Sequence, residues 1–406
     1  MNLNTGLIEK SRAIQEDLVR WRREIHQIAE LGNNTFETAK VVKRELLKMG
    51  VPEKDIRLLV NGAGVAAVIH GEKPGKCLGI RVDCDALPMM EEADVSFKAT
   101  NGNTHSCGHD SHTAMGLGAA KLLLGMRDQF QGSVKIMFQP GEETLEGAKA
   151  MIDEGVLEAP RVDAAIGCHC AIVDARLPEF PCGSIATTTG FPASACSTSF
   201  KAVIHGKGAH GSTPYDSVDP IFIGAAAIMQ LQGIISREHN TLEKAVLSVC
   251  RVESGTANNI IPSSLTLEGT IRTLDHKYSM KILDRIRTIC TSVAESMGGS
   301  CSVECTGDMS ETLMDPEMLK VLRESAAKIV GEGKVYTITE PTLGGEDFAV
   351  FSRHVPTVHF CHSQRFDDGR EQFPNHNPKF IACEDGYWTA AATLVQFALD
   401  WLGSGK

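Results

Sequence analysis

Three features predict an α/β protein: a mostly parallel mixed sheet covered by helices, interrupted by an inserted α+β module. Short apolar strands alternate with helical periods up to about Gly183. Longer strands that alternate apolar and polar residues then replace them. The first rhythm returns beyond residue 306.

In chain order, residues 11–30 place Ile14, Leu18, Trp21, Ile25 and Ile28 on one face of a helix. Thr38–Met49 reads as a second helix. Val65–His70 and Cys77–Val82 read as strands, Thr113–Met126 as a helix rich in small residues, Ser133–Phe138 as a strand and Glu146–Glu154 as a helix. Val162–Cys168 is a short apolar run suited to a buried strand. Residues 196–204 alternate as a half-buried strand, 217–235 form a helix, and strands follow at 245–252 and 264–272. A helix at 277–296 and a strand at 301–305 complete the order β-α-β-β-α-β, which is ferredoxin-like. Beyond it lie a helix at 316–330, a strand at 355–360 and a helix at 386–402. The expected division is therefore 1–183 and 307–406 as two parts of one α/β domain, with 184–306 inserted between them.

The composition excludes several classes. At 406 residues the chain has room for two or three domains, or one with a large insertion. A net charge of −11 argues against a nucleic-acid binder, which needs a basic surface. No run of about 18 apolar residues is evident, so no membrane partner is expected. The N-terminus lacks the basic and apolar regions of an export signal. The 13 cysteines, an odd number without framework spacing, then read as mostly buried reduced thiols of a cytoplasmic protein.

Three segments end expected strands with metal-type ligands. In HSCGHDSH (105–112), Cys107 and His109 are two apart, so an irregular loop can aim both at one centre. Asp110 and His112 are candidates to orient the ligands; the competing reading makes Asp110 or Ser111 a helix cap. In FQPGEETLEGAK (138–149), Pro140-Gly141 turns the chain at the carboxyl end of a strand, where open α/β sheets place their sites. Glu142 and Glu143 can diverge there, one to a metal and one to a water. In GCHC (167–170), His169 ends the third strand. A further histidine comes from His376, His359 or His362, and spacing does not choose among them. Sulfur, nitrogen and oxygen donors together suit zinc, manganese or cobalt, with nickel as a further option. More than four candidates imply two divalent ions, which can bridge a water and polarise a carbonyl. A thiol hydrolase using Cys107 with His109 or His112 is the rival reading, and it leaves the two glutamates without a role.

These segments, with WRREIHQIAEL (21–31), GIRVDCDALP (79–88), GKGAHGSTP (206–214), NNIIPSSLTLEGTIR (258–272), GGEDF (344–348) and HNPKF (376–380), resemble the M20 metallopeptidases. Within them the chain is similar to the amidohydrolase branch acting on N-acyl amino acids, hippurate and auxin conjugates. The resemblance implies Cys107, His109, Glu143, His169 and His376 as ligands, and Glu142 as the general base that deprotonates a bridging water. It implies a catalytic role for His210, reaching the active site of a partner subunit, and a homodimer formed through the inserted lid domain. Asn259 and Arg272 match substrate-binding positions, and the implied substrate is an N-acyl amino acid or dipeptide. Two departures stand out: GCHC where the family has G-L-H-V, and GGEDF where it has G-S-E-D-F.

Overall fold

The computed structural model describes residues 2–403. They form two compact units: 2–193, 313–341 and 350–403 make the first, and 194–312 with 342–349 the second.

The first unit holds helices α1 (Thr5–Ala13), α2 (Gln15–Ile28) and α3 (Phe36–Met49), then strands β1 (Ile56–Leu59), β2 (Gly64–His70) and β3 (Lys73–Asp83). Next come α4 (His109–Leu124), β4 (Gln131–Gln139), α5 (Gly147–Asp153), β5 (Ala164–Ala171) and β6 (Ile185–Thr188). The second unit follows with β7 (Cys196–His205), β8 (Ala209–His210), α6 (Pro220–Gly233), β9 (Ala245–Ser254), β10 (Ile260–Ile261), β11 (Ser264–Thr273), α7 (His276–Ser296) and β12 (Ser300–Met309). Then come α8 (Pro316–Val330), β13 (Val335–Ile338), α9 (Phe348–Ser352), β14 (Thr357–Ser363) and α10 (Tyr387–Gly403).

In the first unit eight strands lie in the order β1-β2-β4-β3-β5-β14-β6-β13. The centre, β4-β3-β5-β14, is parallel throughout, as the apolar runs require. Antiparallel pairs join β1, β2 and β4 on one side, and β6 and β14 on the other. Sheet residues Ile80, Val82, Ile136, Phe138, Ile166 and Phe360 are buried against Met115 and Leu122 of α4 and Leu394 and Phe397 of α10. Each such apolar side chain contributes ~2 kcal/mol on burial. The mixed α/β class expected from the sequence is the architecture observed.

The second unit has its own core and a four-stranded antiparallel sheet in the order β12-β7-β11-β9. With α6 and α7 between strands this is the ferredoxin-like arrangement. Asp219 and Asp275 cap α6 and α7 by accepting from their first backbone amides. Pro220–Glu238 is long and apolar enough to cross a membrane by length and composition. Its glycines and alanines dilute the pattern, so the run escapes a reading that looks for strongly apolar residues. In the fold Ile223, Ala227, Leu231 and Ile234 of this helix belong to the buried core of the second unit.

The units also begin ten residues later than the expected 183/184 boundary, at 193/194. The reason is β6, which pairs with β13 and β14 in the large sheet and so holds 185–188 in the first unit. The other boundary falls at 312/313 rather than 306/307, because β12 extends to Met309 against β7.

Candidate metal centre

Three neighbouring parallel strands stop at one level. The register pairs Asp83 with Gln139 and Arg81 with Gly167, so the ends of β3, β4 and β5 meet at one edge of the sheet. Each of the three ligand-bearing segments leaves one of these ends or the adjoining turn into α4. Gly108, with φ +90°, caps α4, and a Cβ there would overlap Cys170 Sγ. Only glycine permits this tight left-handed turn, which sets Cys107 and His109 on the same side. Helix α4 thus begins at His109, not at the Thr113 expected from the sequence.

The geometry joins the candidates into two triads. Cys107, His109 and His169 offer ligand atoms within 4.8 Å of one another, and so do Cys107, Glu143 and His376. Cys107 Sγ lies 3.3 Å from His169 Nε2 and 3.3 Å from His376 Nε2. His376 Nε2 is 3.4 Å from Glu143 Oε1. Glu142 and Glu143 stand 3.8 and 3.9 Å from His109 Nε2. His376 has φ +64°, an uncommon conformation for a non-glycine residue, and its amide is held by Ser106 O at 2.9 Å. Of the competing histidines, His362 donates from Nε2 to Gly386 O, with Thr389 Oγ1 also at 3.0 Å, and burial pushes its pKa down to about 3. It is a core histidine. His359 sits on β14 opposite Gly167.

Hydrogen bonds fix which imidazole nitrogen faces the centre. His169 Nδ1 donates to Cys170 O at 2.8 Å, leaving Nε2 toward Cys107. His109 Nδ1 donates to Asp85 O and Oδ1 at 3.0 and 3.2 Å, leaving Nε2 inward. Among the described residues, His109 Nε2 and Glu143 Oε1 are buried without a hydrogen-bond partner. Orphaned buried acceptors are costly, and a cation between them satisfies both, so this donor set fits a metal. Burial raises the Cys107 thiol well above its ordinary range, with His109 opposing and Glu143 adding to the rise; a cation reverses that preference. Glu143 is held below the usual carboxylate range: burial opposes ionisation, but His376 and His109 outweigh it.

Of the two residues expected to orient the ligands, Asp110 contacts none of them and His112 lies beside His109 and His169. Asp110 accepts from His26 Nδ1 and pairs with Arg22 Nε, both at 2.7 Å. His112 donates from Nδ1 to Asp83 and accepts from the Cys170 amide at 2.8 Å. Each residue of a helix is rotated about 100° from the last, so Asp110 points to another side than His109, whereas His112, three residues on, shares its face, with the two ring centroids 5.4 Å apart. With both nitrogens engaged, His112 has no lone pair left for a metal.

Sequence reasoning passed over Asp85, which does orient the centre. Its two carboxylate oxygens accept from the backbone amides of Glu142 and Glu143, each at 3.1 Å, beside its contact with His109. One side chain thereby holds His109, a candidate ligand, and the EE turn together. The signal was present, since Asp85 stands at the end of an apolar strand in VDCDALP. Asp85→Asn places an NH₂ opposite a backbone N–H or His109 Nδ1. Cation affinity is expected to fall 10–100-fold, and stability by ~1–3 kcal/mol. Metal titration and thermal unfolding of the apo protein read the two effects separately.

The other expected site residues lie in the second unit. His210 is on β8 and pairs with Ile260 of β10, so Asn259 is its neighbour; Gly211 N donates to Asn259 O at 2.8 Å. Ser212 N donates to His210 Nδ1 at 3.1 Å, which leaves the ring proton on Nε2. Arg272 is on β11 between Ser197 and Val246, near the other end of the sheet.

Comparison with known proteins identifies the family. The chain is 36% identical over 390 residues to thermostable carboxypeptidase 1 of Saccharolobus solfataricus, covering 95% of each chain. It is 32% identical over 389 residues to N-acetylcysteine deacetylase of Bacillus subtilis, covering 96% of this chain and 97% of that one. Its fold superposes on the crystal structure of a Bacillus subtilis dinuclear metal-binding peptidase of family M20 with a TM-score of 0.81, at 29% identity, covering 97% and 99% of the two chains. The profile of peptidase family M20/M25/M40 matches residues 79–400, and the chain belongs to that family.

Proposed function

We propose that this chain hydrolyses the amide bond of N-acyl amino acids or short peptides, with two divalent cations held by Cys107, His109, Glu143, His169 and His376. The observation that carries this reading is a pair of ligand triads sharing Cys107. The mixed donors suit zinc or manganese, with cobalt and nickel as alternatives. When bound, such a pair lowers the pKa of a water and polarises a carbonyl.

The protein's own residues do the rest. Glu142 is buried beside His109 and accepts the proton of the attacking water. It then returns that proton to the leaving amine. His210, protonated on Nε2, is a donor for the developing oxyanion. Arg272 receives the substrate carboxylate, with Asn259 as a second polar contact.

His210 lies on the two-stranded β8–β10 sheet, a few residues before the Ser264 end of β11, and Arg272 lies near the other end of β11. The strand from Ser264 to Arg272 alone spans roughly 25 Å at ~3.3 Å per residue. One copy of the lid therefore does not bring both to one substrate, which supports a homodimer in which His210 and Asn259 serve the partner's site. The second unit has surface for it. Ile221, Phe222 and Met229 of α6 are exposed, with Val246 and Val252 of the edge strand β9.

Removal of metal tests the reading. Treatment with EDTA is expected to abolish amine release from a panel of N-acetyl, N-benzoyl and indole-acyl amino acids and dipeptides. Zinc or manganese should restore it. Full activity in the chelator favours Cys107 as a nucleophile and overturns the proposal.

A further inference from the structure

Arg272 is half-buried, and burial lowers its pKa from the ordinary arginine value. Among the described residues it makes no ion pair and no side-chain hydrogen bond. A guanidinium carries five donors, and here no other side chain among the described residues takes any of them. The group beside it is Gly345: a Cβ there would lie 3.1 Å from Arg272 Nη1, 3.4 Å from Ser197 Cβ and 3.9 Å from Ser197 Oγ. Gly345 does not have the left-handed φ that demands glycine. Its backbone accepts any residue, so the missing side chain is what matters. Gly344 O accepts from Ala195 N at 2.8 Å, tying this segment to the start of β7 next to Arg272's strand. Here the chain departs from the serine of the resembling sequences. A serine would crowd Nη1 and offer it a hydroxyl acceptor.

We propose that Gly345 is a specificity-determining position: by carrying no side chain it keeps Arg272 uncommitted, so the enzyme selects sharply for substrates with a free carboxylate. With no internal acceptor, both edges of the guanidinium remain open to a bidentate carboxylate. A side chain at 345 takes one edge away. The inference rests on the reading of Arg272 as the carboxylate receiver.

The test compares kcat and KM on an N-acetyl amino acid and on its carboxamide, using the metal-loaded enzyme. For G345S the carboxylate-to-carboxamide ratio of kcat/KM is expected to fall roughly tenfold, through a raised KM for the carboxylate. G345A, which adds crowding without an acceptor, is expected to shift the ratio the same way by a smaller factor. It also serves as the second variant should G345S fold poorly. R272Q separates the two ideas. A ratio unchanged in G345S and G345A but lost in R272Q overturns the role of Gly345 and leaves Arg272 as the receiver. A ratio unchanged in R272Q overturns both.

Discussion

Glu142→Gln is expected to lower kcat by about 10²–10⁴-fold while cation content stays the same. Glu142 is 6% exposed, and its amide is held by Asp85 Oδ1. Neither feature depends on the carboxylate charge, so the amide variant keeps its place. The Gln side chain matches the Glu in shape but cannot accept a proton from water or return one to the amine. Glu143, the proposed ligand, has its own amide bonded to Asp85 Oδ2, so the proposed cation triads remain intact. Steady-state kinetics with elemental analysis on the same preparation decides the matter. Turnover within tenfold of the parent removes Glu142 as the base. A parallel loss of metal makes it a ligand instead.

Cys107→Ala is expected to be the most damaging single change to the centre. Cys107 belongs to both triads, so its loss leaves each with two members. Cation affinity should fall by at least about 100-fold, beyond the range for residues that only orient a ligand. Activity should fall with it at limiting metal. The fold should survive in the absence of metal, because alanine fills most of the space of this small, 6% exposed side chain. Its parent, loaded at 100 times Kd, gains ~2.7 kcal/mol per cation from binding; the variant loses that increment. Thermal unfolding with and without cation reads this directly. A melting temperature that responds to cation as strongly as the parent's excludes Cys107 as the shared ligand.

Much of the first unit was legible because its strands are buried on both faces. Leu78, Ile80 and Val82, like Val134, Ile136 and Phe138, are apolar because they sit in the core against a buried parallel sheet, and the charged Arg81 and Lys135 between them do not hide the pattern. The ligand segments were legible for a related reason: each follows such a run. Asp85, Asp83 and the tautomers they set were not. A carboxylate that accepts from the amides of residues 57 and 58 positions away leaves no local spacing to read. The short strands β1, β6 and β13 were missed on similar grounds, since four residues carry too little periodicity and exist only through their ladders. Missing β6 displaced the domain boundary.

Local sequence therefore determined the two kinds of fold in this chain, the order of their elements and the residue types able to hold metal. Periodicity, turn chemistry and donor identity are properties of neighbours in the chain. Tertiary structure alone brought His376 rather than His362 beside Cys107, turned Asp110 toward His26 and Arg22, tied up both nitrogens of His112, and made Asp85 the residue that ties His109 to the Glu142–Glu143 turn. Those choices depend on strand register and on the direction each side chain takes from its helix, and both are set by contacts between distant segments.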